Sequence, residues 1–414
     1  MASYGLLAAF WLNMLSDFYH RFIPRLGYLT SARATSNDLP CGRPECDFSV
    51  FWSAGHLAMA HNYVALYTPQ IFVKLAAKMV LPGSQVETFF YPPPILFPLA
   101  LISHLPFEWA FFVWTGALLS IAIMVLRVAG LSWIVIMAGI FSPAALLDLV
   151  LGQMGIATGA LLVAGLIIST RRQALGGSLL GLLICKPQTA MLAPVFLLLQ
   201  RKARAIGFAL LAAISICVAA TIICGVGIWH AYLTLGHAAT MAILYAPFEP
   251  TSFEGWGSSF FWLFRSLHAG VGAALIAQVI AASLAIGILV WTCRIPNLRP
   301  EAVAEITVLA SLLVTPYAYS ADLVGYSLVL ALAAERRKWQ ISMLDTLFWL
   351  WPGICLVMSI DTGILLSPLV ISAALIRSCW ELSSRAEVAR LAAVPATGDA
   401  KYQTAESLTR SRTK

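Results

Sequence analysis

Two kinds of residue in this sequence are suited to chemistry: an acid in a polar stretch and a lysine between apolar runs. Asp47 follows Asp38 and Glu45, and a carboxylate in such a stretch can take a proton as a general base. Lys186 lies beside Pro187, and its ammonium group can hold an anion. Most acids in loops simply face water, so the residue type alone leaves Asp47 open between a base and a solvated carboxylate.

Other catalytic patterns are absent from the sequence. It has no DxD pair for a metal-bound nucleotide sugar, no complete GxGxxG or phosphate-binding loop, and no Cys or His spacing of the zinc type. The glycines at 155 and 159, and at 177 and 181, have GxxxG spacing, which in apolar helices indicates close packing. We therefore predict that the protein uses neither a metal nor a cofactor.

The composition indicates that these residues are held by a membrane domain. Hydrophobic residues make up 60% of the 414 positions and charged residues only 11%. A single soluble core stops growing near ~250 to 300 residues, so a chain this apolar would expose patches that only lipid covers. The net charge of +7 comes from short clusters between apolar runs, which favours membrane topology over nucleic-acid binding. We predict an all-α, multi-pass domain over 1–380 and a polar, disordered cytoplasmic tail over 381–414.

Apolar runs define the predicted helices. They fall at 107–126, 131–150, 153–170, 205–224, 269–293, 301–315, 321–334, 341–360 and 363–376. A span needs ~20 residues, so most of these runs are long enough. The runs at 174–185 and 189–200 are shorter, and we predict a helical pair joined at Lys186. With this pair and a weak first span near 4–30, the chain crosses the membrane about twelve times.

Basic residues close every second apolar run and predict the orientation. They are Arg127, Arg171, Arg172, Arg201, Lys202, Arg204, Arg294, Arg299, Arg336, Arg337 and Lys338. The positive-inside rule makes these loops cytoplasmic, so the loops at 31–106 and 225–258 lie outside. The first loop carries basic residues too, which a long loop tolerates on translocation. We expect it to be structured, with an interfacial helix in the apolar stretch before Pro106.

Short motifs in this first loop and beyond resemble a known family. They are Asp47-Phe48, Phe51-Trp52-Ser53-Ala54-Gly55, Leu66-Tyr67, Tyr91-Pro92-Pro93-Pro94, Leu105-Pro106, Gly152-Gln153, Lys186-Pro187-Gln188, Thr315-Pro316-Tyr317 and Asp322-Leu323. Together they resemble the family 87 glycosyltransferases, which belong to the type C superfamily and include mannosyltransferases that use polyprenyl-phosphate-mannose. The resemblance runs from about residue 47 to 335.

The resemblance implies a type C bundle that transfers a hexose, mannose being the best-known case, from a polyprenyl-phosphate sugar to a lipid or glycan acceptor. It implies a catalytic Asp in the first outer loop, and Asp47 is the matching position; Asp38 and Glu45 match no motif. The chemistry agrees with one carboxylate, because a polyprenyl phosphate leaves as a stabilised anion and needs no acid. Attack opposite the phosphate inverts the anomeric centre.

Further residues are candidates for substrate binding. Lys186 is the leading cation for the donor phosphate, and its alternative is to snorkel to the interface without a ligand. The other candidates are Tyr91, Gln153, Gln188, Asp322, Arg265 and His268. Gln153 and Asp322 are equally suited to ordinary turns and helix caps, and Arg265 to anchoring an interfacial helix. The aromatic and acidic second loop suits sugar stacking, although interfacial aromatic belts have the same composition.

Two expectations concern the compartment and the class of protein. Cys41 and Cys46 precede Asp47 in a loop predicted to be outside, where a disulfide or two free thiols would both fit. We predict the bacterial inner membrane, with the site facing the periplasm or exterior and with donor, acceptor and membrane lipid as partners. The rival class is a transporter or flippase without chemistry, but its paired mid-membrane charges and repeated halves are not evident in the sequence.

Overall fold

A computed structural model describes residues 46–80, 86–296 and 298–392, together with Gly5, Ala9 and Leu12. Over these residues the chain is helical, and its single β-bridge joins Gly257 to Tyr319. The first half contains α1 (Cys46–Met59), α2 (Tyr63–Tyr67), α3 (Pro69–Val80), α4 (Leu96–Ile102), α5 (Phe107–Val128), α6 (Trp133–Ile140), α7 (Pro143–Leu151), α8 (Gly155–Arg171), α9 (Gln173–Gly181) and α10 (Ala193–Leu199). The second half contains α11 (Ala203–Cys224), α12 (Gly227–Ala231), α13 (His237–Tyr245), α14 (Phe260–Ser266), α15 (Val271–Arg294), α16 (Pro300–Val314), α17 (Val324–Arg336), α18 (Met343–Thr362) and α19 (Ser367–Ala392).

Short 3₁₀ and π segments connect several of these helices. The 3₁₀ segments are Pro93–Ile95, Leu182–Cys185, Pro187–Ala190, Phe253–Trp256 and Ser320–Leu323, and the π segment is Tyr232–Gly236. The π segment joins α12 to α13 without a break, so the second predicted outer loop is largely helical. Single π turns inside helices occur frequently at functional sites.

Long apolar helices confirm an integral membrane protein, but not the predicted number of spans. In the described part of the chain, α5, α11, α15 and α18 are long and apolar enough to cross a membrane. The pair α6 and α7 becomes a fifth span if its bend of 56° lies within one crossing. The count of about twelve is therefore not confirmed, because several of the predicted runs form shorter helices. The weak first span at 4–30 and the Cys41–Cys46 disulfide lie outside the described residues.

Proline explains both of the interruptions that shape the bundle. Pro143 at the start of α7 has no N–H to continue the ladder of α6, and the Ser142 hydroxyl accepts from the N–H of Ala145 instead. Pro187 disfavours helical backbone at Lys186, whose φ and ψ are −144° and 69°. The two predicted halves of the helical pair therefore meet at Lys186.

Two buried clusters hold the site in place. The larger lies among α5 to α10 and α15 to α19, and the smaller packs the first-loop helices against α5 and α11. In the first loop, the 3₁₀ turn Pro93–Ile95 and α4 occupy the stretch where a short interfacial helix was expected. Gly55 of α1 lies so close to α4 that an added Cβ would be 2.4 Å from the carbonyl oxygen of Leu99. A glycine is therefore needed where these helices cross.

The last helix extends further than its apolar run. It was expected to end near residue 376, yet α19 reaches Ala392 and includes the first residues of the predicted tail. Arg377 and Glu381, one helical turn apart, pair with each other, and both join a network with Arg337 and Asp345. These contacts extend the helix beyond its hydrophobic segment, because a charged side chain with buried partners favours ordered backbone as an apolar one does.

Candidate active site

A cavity of about 480 Å³ lies where the first-loop helices meet the ends of α7, α8 and α16. Six of the predicted site residues line it: Asp47, Tyr91, Gln153, Lys186, Gln188 and Asp322. Its size falls within the roughly 300 to 1,000 Å³ that is usual for small-molecule sites. Residues separated by up to 275 positions in the chain thus share one concave surface.

Asp47 lies in the first turn of α1 and is half-buried. The next residue, Phe48, packs its ring 5.4 Å from that of Phe107 and 5.5 Å from that of Phe111, at the start of α5. This packing fixes the N-terminal end of α1 beside the start of α5. It thereby also fixes the Asp47 carboxylate, which lines the cavity. The unpaired N–H groups of a helix N-terminus also favour a negative charge there.

Gln153 holds the Asp47 carboxylate. Its Nε2 donates a hydrogen bond of 2.7 Å to Oδ2 of Asp47. Its Oε1 accepts from the N–H of Met154 at 3.3 Å and from the Tyr91 hydroxyl at 3.2 Å. The sequence predicts Gln153 as a substrate ligand or an ordinary turn residue; the structure places it on the cavity and joins it to Asp47, and substrate binding stays a prediction.

Gly152 makes this approach possible. Its φ is +72°, and an added Cβ would lie 2.6 Å from the Cβ of Phe48. The Trp114 indole donates to the Gly152 carbonyl at 3.0 Å. Asp148 accepts from the N–H groups of Gly155 and Ile156, at 2.8 and 2.7 Å, and so caps α8. The turn that carries Gln153 is therefore constrained on both sides.

Lys186 and Asp322 form a buried ion pair at the cavity wall. The Nζ of Lys186 lies 2.7 Å from Oδ1 of Asp322, with 3% and 6% of the two residues exposed. Lys186 also lies 5.9 Å from the centre of the Tyr91 ring. The other oxygen of Asp322 accepts from the N–H of Tyr319 at 3.1 Å, so Asp322 both caps a 3₁₀ turn and neutralises a lysine. Lys186 does not snorkel to the surface.

Glu87 is a third acid on the cavity, and the sequence reasoning missed it. It lies in the segment that leads into the Tyr91 motif, and no spacing distinguishes it from a solvated loop acid. The described residues that line the cavity thus carry three carboxylates and one cation, since Lys186 is the sole basic side chain among them. An anion bound here would meet a surplus of negative charge, except beside Lys186.

Shielding from water changes the proton affinity of two of the cavity acids, Asp47 and Glu87. Removal from water raises the pKa of Asp47 above its ordinary value, while the hydrogen bond from Gln153 and the charge of Lys186 oppose this rise. Glu87 is exposed as a residue, but partial shielding of its carboxylate from water raises its pKa, and the carboxylates of Asp47 and Glu254 raise it further. A raised pKa makes a carboxylate a stronger base while it is still ionised at neutral pH.

Aromatic side chains form much of the remaining wall. They are Phe51, Phe90, Tyr91, Tyr232, Phe253, Trp256, Tyr317 and Tyr319. The rings of Phe253 and Tyr319 pack at a tilt of 41° with centres 4.3 Å apart, which joins the segment 225–258 to the turn before Asp322. Such surfaces suit the C–H faces of a sugar or an isoprenoid chain.

Arg265 and His268 are not among the residues that line this cavity. The Arg265 guanidinium donates to the carbonyl oxygens of Ala269 and Ala246, at 2.9 and 2.6 Å, and so ties the end of α14 to the segment 225–258. This geometry fits the anchoring alternative, and substrate binding by either residue stays a prediction. In the described chain no group of three or more His, Cys, Asp or Glu residues is placed to hold a metal ion.

Comparison with known proteins yields one match. A family model described as glycosyltransferase family 87 matches residues 89–316, which is more than half of the chain. The matched range includes Tyr91, Gln153, Lys186 and Gln188, whereas Asp47 precedes it. Neither the curated proteins nor the solved structures give a significant match.

Proposed function

The chain belongs to glycosyltransferase family 87, and from this premise we propose the reaction of its site. We propose that it transfers a hexose from a polyprenyl-phosphate sugar to a lipid or glycan acceptor, with inversion, at the outer face of the membrane. Asp47 acts as the general base in this proposal. Mannose is the first sugar to test, and the bacterial inner membrane is the proposed location.

The single observation that carries the proposal is the position of Asp47. Its carboxylate is half-buried, borders the cavity and is held by Gln153 at 2.7 Å. The cavity is apolar and aromatic on several sides, and its wall includes Leu151 at the end of α7, which together with α6 forms a bent pair apolar enough to cross a membrane. A lipid-borne sugar needs both a route from the bilayer and a polar group at the reacting centre, and this arrangement supports both.

Charge at the helix ends supports the proposed orientation. The cavity lies at the start of α8 and α17, and Phe48, the residue after Asp47, packs against Phe107 at the start of α5. The helices α5, α8 and α17 end at or beside Arg127, Arg171 and Arg336. A helix of 22 residues such as α5 is about 33 Å long, so Arg127 lies a membrane thickness from Asp47. The positive-inside rule then supports a cavity at the outer face.

In the proposed reaction the acceptor hydroxyl oxygen attacks the anomeric carbon from the side opposite the phosphate. The new C–O bond forms as the bond from the anomeric carbon to the phosphate oxygen breaks, and the electron pair leaves with the phosphate. Asp47 receives the hydroxyl proton. No acid is needed for the leaving group, because a polyprenyl phosphate is already a stabilised anion.

Lys186 is the proposed cation for the donor phosphate, although its charge is already paired with that of Asp322. An ammonium group has three N–H donors, and the contact with Asp322 uses one of them. We propose that a phosphate oxygen approaches Lys186 beside Asp322, so that the pair presents a hydrogen-bond donor with little net charge. Tyr91 and Gln188 line the same part of the cavity and are the proposed sugar ligands.

The test uses the purified chain in lipid nanodiscs with radiolabelled polyprenyl-phosphate hexoses and a membrane lipid extract as acceptor. We expect a glycolipid that is one hexose heavier than its precursor, and glycolipids and envelope glycans from cells without the chain should lack the same hexose. An Asp361→Asn variant serves as a control, because Asp361 is exposed at the end of α18. Absence of any new glycosidic bond with every hexose donor would contradict the proposal.

The alternative proposal is a transporter or flippase for a lipid-linked or small polar substrate. One observation favours it, since a buried ion pair at a broken helix is typical of transporters. Family membership favours the transferase. Liposomes that contain the protein distinguish the two, because a flippase moves the labelled lipid-linked sugar across the bilayer without changing its mass.

A further inference from the structure

We propose that Gln153 is a positioning residue that orients the Asp47 carboxylate, rather than a ligand of the substrate. This inference rests on the proposed role of Asp47 as the base. It assigns a different function to Gln153 of the Gly152-Gln153 motif, which the sequence offers as a substrate ligand or as part of an ordinary turn.

The hydrogen bonds determine which way the Gln153 amide faces. The backbone N–H of Met154 can only donate, so the atom that it contacts at 3.3 Å must be the amide oxygen. The amide nitrogen then faces the carboxylate of Asp47, where it donates at 2.7 Å. The reverse orientation would place two acceptors together at Asp47 and two donors together at Met154. Both ends of the amide thus agree on one orientation.

The surrounding turn leaves this amide little freedom to turn toward a substrate. Gly152 has the left-handed conformation, its carbonyl accepts from Trp114, and Asp148 caps the helix that begins two residues after Gln153. The Tyr91 hydroxyl lies within 3.2 Å of both ends of the amide and provides a further contact. A ligand that recruited Gln153 would have to break these bonds, including the one that Gln153 donates to the carboxylate.

Orientation and protonation of Asp47 are coupled through this bond. An amide N–H donates to an ionised oxygen and so favours the charged carboxylate, against the burial that favours the neutral acid. The other ionisable groups near Asp47 are Lys186, which also favours the charge, and Glu87 and Tyr91, whose pKa values the Asp47 charge raises. Loss of the Gln153 donor therefore moves the pH at which the base becomes active.

The experiment measures transfer against pH for the purified wild type and for Gln153→Leu and Gln153→Glu. We expect the acid limb of kcat/KM to move upward by about one pH unit in the Leu variant, because a hydrogen bond to a charge is lost. It should move further in the Glu variant, whose carboxylate has the size of the native amide and repels that of Asp47. At pH values below the pKa of Asp47 in both proteins, the Leu variant should lose on the order of tenfold in kcat/KM, with recovery at higher pH.

Gln188→Leu is the matched control, since Gln188 is the other glutamine on the cavity. As a proposed sugar ligand it should raise KM and leave the acid limb where it is. Thermal unfolding and donor binding of each variant separate a folding defect from a change at the base. If Gln153→Leu and Gln153→Glu raise KM with the acid limb unmoved, Gln153 is a substrate ligand and the inference is wrong. If Asp47→Asn retains the wild-type rate and pH profile, the proposed base itself fails.

Discussion

The ion pair between Lys186 and Asp322 makes a prediction about stability that is separate from the chemistry. Both side chains are buried, and their charged atoms lie 2.7 Å apart. Removal of one partner from a buried pair typically costs about 3 to 5 kcal/mol, because the other charge is left without compensation. We expect Lys186→Met and Asp322→Asn each to lower the free energy of unfolding by this amount.

The double variant should lose less than either single variant, because no uncompensated charge remains. The measurement is denaturant unfolding in detergent micelles, followed by tryptophan fluorescence. The exposed pair Arg171 and Glu301 provides the control, with a distance of 3.9 Å and side-chain exposures of 68% and 28%. Arg171→Met should cost at most about 1 kcal/mol.

A single Lys186→Met variant as stable as the wild type would refute the reasoning, since it would mean that Asp322 is not held as a buried, paired charge. A measurement of donor binding then separates a role of the ion pair in stability from a role of Lys186 in binding the donor phosphate. A polyprenyl phosphate should raise the unfolding temperature of the wild type more than that of the double variant, if its phosphate contacts Lys186.

Two further predictions concern local geometry and topology. Gly152→Ala should destabilise the protein by on the order of 1 to 3 kcal/mol and reduce transfer, because φ is +72° and the new Cβ would meet Phe48; Gly207→Ala, which meets nothing within 4 Å, should change neither unfolding nor transfer. In a variant without native cysteines, an impermeant maleimide applied to intact cells should label Thr251→Cys and not Arg171→Cys; labelling of the second alone would reverse the proposed orientation.

Much of the architecture could be predicted from apolar runs and prolines. The break at Lys186 follows from Pro187, and α5, α11, α15 and α18 begin and end within a few residues of their predicted runs. The number of crossings could not be counted in this way, since α8 and α16 are short and almost wholly buried inside the protein, where the length of a helix does not have to match the thickness of the lipid bilayer. A hydrophobic run gives the composition of a helix but not the surface that it contacts.

The candidate site was predictable where a motif carried it and obscure where packing assembled it. Asp47, Lys186 and Asp322 stood out by residue type and motif, and the structure brings them to one cavity. Glu87 and Phe253 did not, because each lies in a loop whose composition also fits ordinary interfacial segments. The pairing of Gln153 with Asp47 joins residues 106 positions apart, and no local pattern encodes such a contact.

The proposed base is tested most directly by Asp47→Asn in purified transfer assays with saturating donor and acceptor. The substitution keeps the size of the side chain and its contact with Gln153 while removing the group that takes the proton. We expect a folded protein that binds donor, because removal of a nearby negative charge does not weaken an anion, but transfers sugar ~10² to 10⁴ times more slowly. Asp38→Asn and Glu45→Gln should retain transfer. An Asp47→Asn enzyme with the wild-type rate would show that Asp47 is not the base.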